Sequence, residues 1–80
     1  MYSRAPKDDA IEQVLTALAE ERSPDRSFCP SEAARRLAAD WRPLMPRIRD
    51  VASRMGLLAT QRGLAVDLRS AKGPVRLRKP

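Results

Sequence analysis

Seven basic residues in the second half of the chain, Arg42, Arg47, Arg49, Arg54, Arg62, Arg69 and Lys72, are the side chains best suited to chemistry. That chemistry is recognition of a polyanion, because a guanidinium presents a planar, permanently charged fork that fits phosphate oxygens and guanine edges. Their setting is uneven. Met1 to Trp41 carry six Lys/Arg against eight Asp/Glu, whereas Arg42 to Pro80 carry ten against two, giving local balances of −2 and +8 within a net +6. A nucleic-acid partner, if bound, would meet the second half. The competing reading is that arginines beside a buried stripe simply keep a helix face solvated, and that 13 of the 16 basic residues are Arg because of genome composition.

Other chemistries lack their parts. Without His, neither a Ser-His-Asp nor a Cys-His nucleophile can be assembled, and Asp40, Asp50 and Asp67 are isolated acids with no spacing that pairs them. No enzyme activity and no cofactor are expected. Cys29 stands alone, which excludes an internal disulfide, and with no His a conventional zinc site has too few ligands. Cys29 is expected to be a small buried hydrophobe at a helix start. A thiolate favoured by the helix dipole is the alternative. No apolar run approaches the ~20 residues that cross a bilayer, and no apolar stretch follows the first cations as in a secretory signal. A cytoplasmic chain with no membrane contact and no metal is the expectation.

Eighty residues suffice for one domain with one small core, preceded by a loosely ordered tail over residues 1–7. Asp8 or Asp9 can cap a first helix whose stripe is Ile11, Val14, Leu15 and Leu18, ending near Arg22 before Ser23-Pro24. Ser23 to Ser27 reads as a turn-rich linker, and Ser27-Phe28-Cys29 as a very short strand carrying Phe28 inward. Pro30 suits the first position of a second helix reaching about Ala39, with Ala33, Ala34, Leu37 and Ala38 apolar. Its alanines permit close approach to a neighbour.

Asp40 is the expected cap of a third helix, with Pro43 and Pro46 confined to its first turn. Around Ile48, the residues Leu44, Met45, Val51, Ala52 and Met55 fall on one face. Arg42 and Arg49 then line one flank and Arg47 and Arg54 the other, while Pro46, Asp50 and Ser53 occupy the outward midline. Proline and aspartate there count against base reading. Gly56 suits a left-handed helix end. Leu57 to Gln61 and Pro74 to Arg78 read as strands, the second with Val75 and Leu77 inward. Leu64 to Ala71 is expected to form an extended loop with a helical turn near Leu68 to Ala71.

Four stretches in this order, Cys29-Pro30-Ser31-Glu32-Ala33-Ala34-Arg35-Arg36-Leu37, Trp41-Arg42-Pro43-Leu44-Met45-Pro46, Thr60-Gln61-Arg62-Gly63 and Gly73-Pro74-Val75-Arg76-Leu77, resemble the small bacterial domain-of-unknown-function family 3253. The resemblance spans Ile11 to Leu77 and implies a winged-helix-like fold, with no established activity attached. Leu68 stands where similar sequences usually carry a proline after the aspartate. The fold class expected is therefore mainly α with a small β-hairpin, a winged helix-turn-helix of three helices, a short strand and a two-stranded wing.

Two partner classes follow. In the first, double-stranded DNA meets the third helix and wing through the seven basic residues named above. In the second, Trp41, Leu44 and Met45 form an apolar corner for a protein partner or a second copy of the chain. Thr60 to Gly63 serves either as a wing-tip contact or as plain turn chemistry.

Overall fold

The computed structural model describes residues 6–22 and 26–80, so residues 1–5 of the expected tail and 23–25 of the expected linker lie outside the described residues. Three helices, a single residue bridge and a small antiparallel sheet follow one another along the chain. Helix α1 spans Asp8–Glu21 and buries Ile11, Leu15, Leu18 and Ala19, the stripe that the spacing predicts with Ala19 added and Val14 only half-buried. Its N-cap is Lys7, with no side-chain cap; Asp8 and Asp9 lie inside the first turn. There they complement the helix dipole rather than cap it, a correction to the expected roles.

Helix α2, Pro30–Leu37, starts on a proline as expected, since the first helical N–H has no partner to lose. It ends two residues before Ala39, where Ala38 turns to extended backbone. The Glu32 carboxylate reaches back to the Cys29 N–H at 3.0 Å, satisfying a donor that the first turn leaves open. Ala33 and Ala34 are fully buried, and α2 packs against both α1 and the third helix.

The third helix is reached through a 3₁₀ turn, Arg42–Leu44, and α3 itself spans Met45–Arg54. Neither start has a side-chain cap, so Asp40 does not act as one. The prolines Pro43 and Pro46 each sit at the beginning of their segment, where ring and missing N–H cost nothing. Leu44, Ile48, Val51 and Ala52 are buried, as their spacing predicts. Gly56, at φ 79°, ends the helix: its N–H donates to the Ser53 carbonyl at 3.1 Å and that of Leu57 to the Ala52 carbonyl at 3.2 Å. That pair of bonds is a Schellman motif, open to Gly because it lacks a Cβ.

Strand β1, Leu58–Gln61, lies at the centre of the sheet between β2, Leu64–Ala65, and β3, Arg76–Arg78. Leu58, Ala59 and Thr60 face Arg78, Leu77 and Arg76, while Thr60 and Gln61 face Ala65 and Leu64. The tight β1–β2 hairpin is a difference from the extended loop that the length of Leu64 to Ala71 suggests. Its turn is Arg62-Gly63, with φ 53° and 82°, and two positive φ values are what a type I′ turn requires. The expected helical turn is present: the N–H groups of Ser70 and Ala71 both donate to the Asp67 carbonyl. It sets Leu68 into the core.

Phe28 closes the arrangement. It exchanges two backbone bonds with Leu77, at 2.8 and 2.7 Å, and its ring is fully buried among the helices and sheet. Among the described residues no helix is long and apolar enough to cross a membrane, and no three His, Cys, Asp or Glu side chains group as metal ligands.

Candidate nucleic-acid interface

The α3 arginines divide by flank, as their spacing predicts, and each flank meets a different partner. Arg47 and Arg54, seven residues apart, point toward the start of α1. Arg47 Nη2 donates to Asp8 Oδ1 at 2.7 Å and Arg54 Nη2 to Asp8 Oδ2 at 2.9 Å. Arg54 also pairs with Asp50 at 3.0 Å, and the other Asp50 oxygen lies 3.4 Å from Arg69 Nη2. Five charges thus form a continuous chain, Arg47, Asp8, Arg54, Asp50 and Arg69, from α1 across α3 to the loop. Hydrogen bonds from Arg47 and then Arg54 hold the Asp8 carboxyl below its usual range, and the Asp8 bond in turn raises Arg54.

On the other flank Arg49 is spent on backbone. Its guanidinium donates to the Ala71 carbonyl at 3.0 Å and the Gly73 carbonyl at 2.6 Å, fastening the loop before β3 onto α3. Arg69 also donates through Nε to the Ser53 hydroxyl at 3.2 Å. Arg42 lies over the Trp41 ring, 4.7 Å from its centroid, and Arg35 lies 4.9 Å from the same centroid. Arg62, at the hairpin turn, and Lys72 have no side-chain partner among the described residues.

Two clefts border the loop. One lies between Met45, Pro46, Arg49 and the acidic Asp50 of α3 and Leu68, Arg69 and Lys72 of the loop. The other is lined by Gln61, Arg62 and Leu64 of the hairpin with Lys72, Pro74 and Arg76. Lys72 borders both. Arg49, Arg69, Lys72 and Arg62 therefore lie along one connected surface, whereas Arg47 and Arg54 line neither cleft.

The proposed apolar corner is only partly present. Leu44 is 6% exposed and belongs to the core; Trp41 and Met45 are half-buried against it. Among the described residues the exposed large apolar side chains are instead Leu64, at 72%, and Leu58, at 41%, both on the hairpin. Periodicity around α3 could not find them, since they lie on strands. Cys29 is half-buried rather than buried, and its sulfur accepts from the Ser31 hydroxyl at 3.1 Å. Gln61 was also hidden: its Nε2 donates to the Lys72 and Pro74 carbonyls, more than ten residues away in sequence.

A family model described as Protein of unknown function (DUF3253) matches residues 8–80, and the chain belongs to that family. The match starts at the first residue of α1 and runs past β3, covering every element of the fold. No curated protein matches the chain.

Proposed function

We propose that this family member is a winged helix-turn-helix domain that binds double-stranded DNA through its backbone phosphates, without catalysis, in the cytoplasm. The element order supports the winged-helix reading: helix, bridging residue, two helices, strand, loop and strand, with Phe28 paired to Leu77 as the short first strand would be. The observation that carries the binding surface is Lys72. Because it borders both clefts, positive side chains continue from Arg49 and Arg69 beside α3 to Arg62 at the hairpin turn. Phosphates rather than base edges are the target, since Asp50 and Pro46 hold the outward midline of α3 and Arg49 is engaged with carbonyls.

Titration of the domain with a mixed-sequence DNA duplex at rising salt tests this. Binding should weaken linearly in log–log form, with each lost phosphate contact lowering the slope by ~0.9. Lys72→Glu, at a side chain without a partner among the described residues, should weaken binding to all sequences alike. Absent or salt-insensitive binding overturns the reading.

A protein partner is the second reading, and Leu64 favours it. A leucine exposed to 72% beside a turn contributes nothing to this fold's own core and suits an apolar contact. Pull-down on an immobilised partner candidate would then depend on Leu64 and not on salt.

A further inference from the structure

Asp8 is bound in an unusual way for an exposed carboxylate. Each of its oxygens takes a separate guanidinium, Arg47 at 2.7 Å and Arg54 at 2.9 Å, and both arginines come from one stripe of α3. Two arginines on the two free oxygens of one anion is also the geometry with which proteins hold a phosphodiester. We infer that Arg47 and Arg54 form a phosphate site on α3 that Asp8 fills in the free domain, making the start of α1 an internal competitor for a nucleic-acid phosphate. This rests on the nucleic-acid reading above and extends it to the two arginines that line neither cleft.

Three features support the exchange. The side chains involved stay between 41% and 49% exposed, so an anion from solvent can reach them. Ion pairs this open add little to fold stability, and giving one up for a phosphate costs little. Asp8 is also the first residue of α1, in a turn held by Ala10 and Ile11 N–H bonds to the Lys7 carbonyl and not by a side-chain cap. The competitor is charged at neutral pH, as any exposed aspartate is, and the two guanidinium groups lower its pKa further. Arg54 keeps a second contact, to Asp50, and so stays oriented when Asp8 leaves.

The neighbouring Asp9 supplies the control, as it has the same charge and no side-chain partner among the described residues. Asp8→Asn and Asp9→Asn change net charge equally. In salt titrations of a mixed-sequence duplex, Asp8→Asn should tighten binding roughly 3–10-fold at low salt and steepen the salt slope by up to ~2, one increment per released arginine. Asp9→Asn should give a smaller gain and an unchanged slope. Asp8→Ser repeats the measurement without an amide that can still accept from the arginines, and thermal melts establish that each variant is folded. Equal effects of the two substitutions, or wild-type binding that Asp8→Asn and Asp8→Ser leave unmoved, overturn the inference while the nucleic-acid reading stands. No binding by wild type or any variant removes both.

Discussion

Arg49 and Gln61 hold alternate carbonyls of one short segment. Arg49, on α3, takes those of Ala71 and Gly73, and Gln61, at the end of β1, takes those of Lys72 and Pro74. The segment bends at Gly73, where φ is 83°, and these four bonds hold it on both sides of the bend although it belongs to no strand. The two side chains thereby fix Lys72 and Gly73, which border both clefts, Lys72 being the charged one of the two. Recognition and architecture are coupled here through backbone bonds.

Loosening that grip should expose the Lys72–Gly73 bond to trypsin. Gln61→Leu removes two of the four bonds without altering charge, and the net loss of roughly 1 kcal/mol corresponds to about a fivefold rise in local opening. Cleavage after Lys72, followed by mass spectrometry under native conditions, should accelerate by about that factor. An unchanged rate would mean that Arg49 alone suffices.

Phe28 joins the helices to the sheet by ring and backbone together. Phe28→Ala should cost about 3–5 kcal/mol through lost burial and the cavity left behind. An 80-residue chain has a total stability of roughly 4–12 kcal/mol, so this one substitution removes much of it. Urea denaturation should show the midpoint falling with little change in slope; a loss below ~1 kcal/mol would contradict the central position given to this ring.

Much of this fold is legible in the sequence because its signals are local. The Ile48-centred stripe, Pro30 at a helix start, Gly56 at a helix end and the inward Val75 and Leu77 all follow from spacing and from proline or glycine chemistry. The hairpin was concealed because its turn uses Arg-Gly, and an arginine at positive φ is not a turn signal in the way Asn-Gly is. Among site residues, flank membership on α3 was readable from the helical period. What each arginine bonds to was not: Arg47 meets Asp8 across 39 residues and Arg49 meets Gly73 across 24, contacts fixed only by tertiary packing. Basic composition therefore pointed to seven candidate charges, while the fold leaves Arg62 and Lys72 with no side-chain partner of their own among the described residues.

Acid should destabilise the domain slightly, because its ion-paired carboxylates are open to solvent and each adds little. Arg47 and Arg54 lower the pKa of Asp8, and Arg36 lowers that of Glu21. Burial pushes Glu32 up, but the Cys29 N–H and Arg22 outweigh it and leave this carboxyl lowered as well. Each group binds its proton more readily in the unfolded chain. Its contribution is complete above the unfolded pKa and is lost as pH falls through the lower folded value. The urea midpoint should drop as pH falls below about 5 and through the carboxylate range, and Asp8→Asn should flatten part of that fall. A midpoint constant across this window would show that these pairs do not contribute to folding.

Arg62 separates stability from function most sharply. It holds φ 53° in a type I′ turn, where a side chain with a Cβ is strained and asparagine is better tolerated, and Gly63 follows at φ 82°. Arg62→Asn creates the favoured turn pair and should stabilise the domain by about 0.5–1 kcal/mol, read as a higher melting temperature. The same change removes a cation from the cleft that it shares with Lys72, so duplex binding should weaken and its salt slope fall by ~1. Opposite signs in the two measurements would mark a strained residue retained for its contact with an anion. A stability loss in Arg62→Asn would instead assign the arginine to the hairpin itself, and an unchanged salt slope would take it out of the interface.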